Sequence, residues 1–145
     1  MTALETLPRA QLQAAKPTAL PRGVLVVDDD EMVRSLLGTF FRQQGFFVWL
    51  ASDGEEAVEI FENYHDEIAF VVMEVHMPGM TGPDTLLKFR EFDSEVDCYF
   101  ISEDWSPDTV VEVMESGGVG LVMKQFLLKM LAGIMRECLA SSTEP

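Results

Sequence analysis

The sequence predicts an α/β fold, a doubly wound, five-stranded parallel sheet with helices on both faces. Three observations lead there. Short apolar runs rich in β-branched residues recur along the chain, each bounded by acids, glycine or proline. Between them lie stretches whose apolar residues repeat at helical spacing. Strand and helix alternate to the end of the chain, and parallel neighbours need right-handed helical crossovers, which cover both faces of the sheet.

Residues 24–27 form the first strand, which runs into Asp28-Asp29-Asp30. Met32, Val33, Leu36, Leu37, Phe40 and Phe41 then recur on one helical face, and Gly45 is the expected stop. Residues 46–50 are the second strand. Asp53 and Glu56 make an Asp-x-x-Glu start of the capping-box type for a helix to about Tyr64, with Val58, Phe61 and Tyr64 inward. The third strand, residues 69–74, delivers Glu74 to its tip before the turn formers Pro78, Gly79 and Gly82. A helix over 82–92 turns Leu86, Leu87 and Phe89 or Phe92 inward. Residues 97–102 are the fourth strand. Ser106 and Pro107 read as an N-cap followed by proline at the first helical position, and Gly117-Gly118 ends that helix. After a short fifth strand at 120–123, Leu127, Leu131, Ile134, Met135, Cys138 and Leu139 mark a closing amphipathic helix.

A chain of 145 residues that is 48% hydrophobic supplies one packed core, so a single domain over 23–141 is expected. Residues 1–22, with Pro8, Pro17 and Pro21, read as a flexible tail, and 142–145 as a short C-terminal one. No separate DNA-binding or catalytic output domain is expected. Arg9, Lys16 and Arg22 against Glu5 give the N-terminal segment +2, which leaves −17 of the formal −15 for the remainder. That acidity argues against nucleic acid as a partner, because binding a phosphate backbone needs Lys and Arg, and only ten are present. No apolar run is long enough to span a bilayer, and no signal-type apolar segment opens the chain. With only Cys98 and Cys138, both expected to be buried, a disulfide framework is not indicated and a cytoplasmic location is the expectation.

In a parallel sheet the C-terminal strand tips share one edge, where ligands bind. That edge gathers Asp28 and Asp29 after the first strand, Glu74 after the third, Ser102 after the fourth and Lys124 after the fifth. Carboxylates suit a hard divalent cation such as magnesium, which takes oxygen ligands. A hydroxyl and an ammonium suit phosphoryl oxygens. The bland alternative for residues 28–30 is a solvated loop that caps the first helix.

In order and spacing these pieces resemble the receiver domain of two-component response regulators, over residues 24 to about 139. The likeness is carried by Val26-Val27-Asp28-Asp29-Asp30, Ala51-Ser52-Asp53-Gly54-Glu55-Glu56-Ala57, Met77-Pro78-Gly79-Met80-Thr81-Gly82, Ser102, Gly117-Gly118 and Lys124-Gln125-Phe126. The resemblance implies a flavodoxin-like sheet of order 2-1-3-4-5 and a magnesium site of Asp28, Asp29, the Glu74 position and the backbone carbonyl of His76. It also implies phosphoryl contacts from Ser102 and Lys124, and a signalling partner such as a histidine kinase or an output protein, with a homodimer also open.

Three positions depart from the family pattern. Glu74 stands where receivers carry the phosphate-accepting aspartate, Gln125 where a proline follows the lysine, and Leu121 where a reporting aromatic sits. Glutamate reaches about 1.5 Å further than aspartate, one C–C bond. Glu74 is therefore a decayed position, a retained phosphate mimic or a working acceptor. Magnesium binding, if retained, is expected to be weak. A trans bond before Gln125 and a displaced loop are expected, since cis without proline costs about 2.5–4 kcal/mol. Trp105, in the loop before the fourth helix, serves local packing or anchors an interface. A haloacid-dehalogenase-like phosphatase is the alternative from another class, because Asp28-Asp29-Asp30 contains Asp-x-Asp after a first strand. It lacks a late acidic pair for the metal. A flavodoxin-like electron carrier shares the sheet order, but acids after the first strand would repel a cofactor phosphate.

Overall fold

The structure, a computed structural model, describes residues 22–143. Elements follow in the order β1 (Gly23–Val27), α1 (Glu31–Gln43), β2 (Phe47–Ala51), α2 (Gly54–Tyr64), a 3-10 turn (His65–Glu67), β3 (Ile68–Glu74), α3 (Gly82–Phe89), β4 (Asp97–Ser102), α4 (Pro107–Ser116), β5 (Gly120–Met123) and α5 (Lys124–Thr143). The strands form one sheet in the order β2-β1-β3-β4-β5, all parallel. The fold class is the one the sequence predicts, and the strand order is the one the resemblance implies.

Side-chain caps fix where most helices begin, and those of Asp53 and Ser106 were legible in the sequence. Asp53 accepts from the Glu56 amide at 2.8 Å, Thr81 from Asp84, and Ser106 from Thr109, with Pro107 in the first turn of α4. The Glu56 carboxylate does not close the capping box on the Asp53 amide; it accepts from the Ser52 hydroxyl at 3.0 Å. Gly117 ends α4 at φ +83°, a left-handed conformation that glycine adopts without Cβ strain.

Two apolar layers sandwich the sheet. On one side Leu25, Val27, Val71, Met73 and Phe100 pack against Phe61, Leu86, Phe89 and Val113. On the other, Val24, Val26, Val72 and Ile101 pack against Val33 and Leu37 of α1 and Leu131 of α5. Several side chains expected inside are not. Met32 and Leu87 are largely exposed, and Tyr64 is partly exposed, its ring stacked on Trp49. Each sits at the border of its helix's apolar stripe, where spacing alone places it inside. Helix α3 ends at Phe89 rather than 92, leaving Phe92 partly exposed against His65.

Cys98 is fully buried, and burial pushes its thiol pKa well up. The Cys138 side chain and all of the expected tail over 1–22 except Arg22 lie outside the described residues. Helix α5 runs on to Thr143, past the expected boundary at 141. The expected loop after β5 is absent: α5 opens at Lys124 itself, with no cis peptide bond among the described residues. Proline disfavours helical backbone at the residue before it. Gln125 lifts that restriction, so Lys124 can be the first helical residue.

Candidate functional site

The C-terminal tips of β1, β3 and β4 and the start of α5 converge on one crevice lined by Asp29, Asp30, Glu74, His76, Ser102, Glu103, Asp104 and Lys124. Helix α3 presses close behind β3, with the Gly82 amide donating to the Val75 carbonyl at 2.8 Å. A Cβ at Gly82 would collide with the Glu74 carbonyl oxygen and lie 2.8 Å from the Phe100 ring. Only glycine allows that approach, and it fixes the tip that carries Glu74.

At the crevice floor the Lys124 ammonium joins two carboxylates. Its Nζ lies 3.0 Å from Asp28 Oδ2, 3.2 Å from Asp28 Oδ1 and 2.9 Å from Glu74 Oε2. All three side chains are buried. The Asp28 carboxylate also accepts from the Asp30 amide at 2.9 Å, while the Arg34 guanidinium donates to the Asp28 carbonyl at 2.6 Å. Glu74 Oε1 faces the His76 amide at 3.4 Å.

Desolvation raises the pKa of Asp28 and of Glu74, and the bonds to Lys124 only partly offset it. Burial works against the Lys124 ammonium, but its contacts with Glu74 and Asp28 outweigh that and hold its pKa above the ordinary value.

The rim holds a second cluster. His76 Nε2 lies 3.1 Å from Thr109 Oγ1 and 3.3 Å from Asp104 Oδ2, and the Thr109 hydroxyl donates to Asp104 at 2.7 Å. The Ser106 amide and the Thr109 hydroxyl hold the Asp104 carboxyl below the usual range. The Ser102 hydroxyl accepts from the Asp104 amide at 3.0 Å. Sequence reasoning credited His76 with its carbonyl alone and passed over Asp104 and Thr109. Thr109 lies 33 positions from His76, and no spacing rule links them.

The structure thus brings Asp28, Glu74 and Lys124 into contact, sets Ser102 on the same crevice, and leaves Asp29 exposed on its wall. The donor chemistry fits magnesium, being oxygen throughout. Asp28 Oδ2 and Glu74 Oε2 are buried and make no well-aligned hydrogen bond, although both lie at ion-pair distance from Lys124. Among the described residues, however, no group of three or more His, Cys, Asp or Glu side chains is gathered closely enough to form a metal shell. Asp28, Asp29 and Glu74, with the His76 carbonyl, are the residues that would hold the ion.

Residues 24–136 match the family model for the response regulator receiver domain. This chain belongs to that family. It is 32% identical over 122 residues to the regulatory protein AtoC of Escherichia coli K12, covering 84% of this chain and 26% of that protein. It is 29% identical to the chemotaxis protein CheY of Treponema pallidum, covering 83% of this chain and 88% of that one. Among solved structures it resembles the CheX–CheY–BeF3–Mg+2 complex from Borrelia burgdorferi, with TM-score 0.68 and 27% identity over 89% of this chain and 99% of the other. The chain spans about a quarter of AtoC and 12% of the sensor kinase CckA of Brucella abortus, to which it is 32% identical. Receiver domains are signalling modules of two-component systems, and this assignment displaces the phosphatase and electron-carrier readings. No helix among the described residues is long and apolar enough to cross a membrane.

Proposed function

We propose that this receiver is atypical: a binding module of two-component signalling that works through its surface, with Glu74 at the phosphoacceptor position and little or no phosphorylation there. The carrying observation is the engagement of Glu74. Its Oε2 is held by the Lys124 ammonium at 2.9 Å, and its Oε1 faces the His76 amide. A carboxylate so held is a weakened nucleophile, and the added methylene displaces it from where an aspartate would attack. Misplacement of about 1 Å can cost on the order of a hundredfold in rate.

On this reading Ser102 and Lys124 occupy the phosphoryl-contact positions. Asp28, Asp29, Glu74 and the His76 carbonyl retain weak affinity for Mg2+, which would screen the acids. The surface supports a protein partner. Val111 and Met114 of α4, Val119, Met123 of β5 and Phe126 of α5 are all exposed, with Trp105 exposed in the loop before α4. Aromatic and methionine side chains are enriched at protein interfaces. A histidine kinase or an output protein of two-component signalling is the partner class.

The rival is a working acceptor in which a Glu74 oxygen attacks the phosphorus of a phosphodonor and displaces its leaving group. Incubation with radiolabelled acetyl phosphate and magnesium separates the two. We expect no stoichiometric labelling, together with a two-component protein recovered by pull-down through the α4–β5–α5 face. Rapid labelling that is lost in Glu74→Gln would overturn the proposal.

A further inference from the structure

Behind the sheet, away from the crevice, α1 and α5 leave an apolar groove of about 350 Å³. Its floor is Phe70, Val72, Tyr99 and Ile101 of β3 and β4, and its walls carry Phe40 from α1 and Met130 from α5. Tyr99 is 38% exposed and Met130 50%, so the groove opens apolar surface to water. Two helices are spread over five strands on this side, and the groove is the gap between them.

We infer that this groove is the docking site of the chain's own N-terminal segment, residues 7–16. The argument rests on where the described chain begins. Arg22 lies at the start of β1, its carbonyl accepting from the Phe47 amide at 3.0 Å. Two residues on, Val24 pairs in register with Phe70, the residue at the lower end of the groove floor. The Phe70 ring packs edge-on against Phe41, Phe46 and Tyr99. Arg22 therefore stands one strand away from the lower end of the groove.

Length permits the docking. Ten residue-to-residue steps lead from Leu12 to Arg22 and span at most about 35 Å extended, whereas the groove wall from Leu127 to Ile134 covers about 10 Å of helix. Composition fits an apolar slot: Leu7, Ala10, Leu12, Ala14 and Ala15 with no acid between them, and Pro17 and Pro21 restricting the connecting chain. The segment also carries Arg9 and Lys16 toward a strongly acidic body. Tethering raises its effective concentration to the millimolar range, so a few buried leucine contacts suffice.

The test uses the 145-residue chain with 13C-labelled leucine methyls and observes nuclear Overhauser contacts from Leu7 and Leu12 to the rings of Phe40 and Tyr99. Expected are intramolecular contacts that persist on tenfold dilution, and about tenfold faster amide exchange over residues 127–134 in Leu7→Ser/Leu12→Ser. Order parameters below about 0.6 through residues 7–16 with no such contacts would overturn the inference. So would contacts that appear only between differently labelled chains and fade on dilution, which would assign the groove to a second copy.

Discussion

Replacing Lys124 with methionine removes the one positive charge that separates Asp28 from Glu74 while keeping most of the side chain's volume. Because Asp28 Oδ2 and Glu74 Oε2 both touch the same nitrogen, they are no more than about 6 Å apart. At an effective dielectric constant of about 20, two unit charges at that separation repel by about 3 kcal/mol, close to two pKa units. The folded-state pKa of both acids is already raised by desolvation, so losing the ammonium drives at least one higher still. The unfolded chain releases these protons near the ordinary carboxylate pKa, whereas the folded variant keeps one to higher pH. Its stability therefore falls as pH rises from about 4 through the raised folded value. We expect Lys124→Met to cost about 3 kcal/mol at pH 7.5 and under about 1 kcal/mol at pH 5, in line with the cost of breaking a buried ion pair. Urea unfolding at the two pH values measures this. Equal losses at both would mean that packing, not charge, is what Lys124 supplies, and would refute the reasoning. The wild-type chain should show the opposite edge. The stability that Lys124 contributes at neutral pH holds up to about pH 10 and is lost as pH climbs through its raised folded pKa.

Magnesium should bind weakly. Millimolar Mg2+ is expected to shift amide resonances of Asp28 and Asp29, Asp29→Asn should weaken the effect, and silence in both spectroscopy and calorimetry would mark the site as vestigial. Gly82→Ala must push α3 off the Glu74 carbonyl; a loss of about 1–3 kcal/mol by urea denaturation is expected, and a neutral result would contradict the tight approach. Asp53→Ala removes the acceptor of the Glu56 amide and should cost about 1 kcal/mol.

Strands and helix starts were legible because each is encoded locally, whereas the strand order came only from the resemblance to receiver domains. The β-branched runs, the Asp53 and Ser106 caps and the Gly117 stop act within a few residues of where they stand in the chain. Met32, Leu87 and Tyr64 were misplaced because helical spacing defines a stripe but not its edges, which tertiary neighbours decide. The crevice was legible as a set of strand tips and not as contacts. Lys124 meets Asp28 across 96 positions, a pairing that only the folded sheet creates. The way Gln125 frees Lys124 to start α5 was half visible: a trans bond was expected, but local chemistry gave no reason to expect helix in place of a loop.

On the proposed reading, the route from crevice to partner face differs from one built on a rotating aromatic. Leu121 is half-buried and packs with the α2–α3–α4 layer, and it has no hydroxyl with which to report on Ser102. Ser102 is occupied with the Asp104 amide and so ties down the loop that precedes α4. What remains is Lys124, whose ammonium is buried between the acids while its backbone opens the helix bearing Phe126 and Met130. A change in charge at Glu74 should therefore move α5 before it moves α4. In Glu74→Gln the Lys124 ammonium keeps Asp28 but loses a full charge on its other side, so the first turn of α5 is the element whose two positions the site can bias. We expect the amide shifts of Phe126 and Met130 to exceed those of Val111 and Met114 at least twofold in a two-dimensional NMR comparison with the wild type. Shifts concentrated in α4 would show that the coupling runs through the Ser102 loop instead, and would break the link between Lys124 and the partner face.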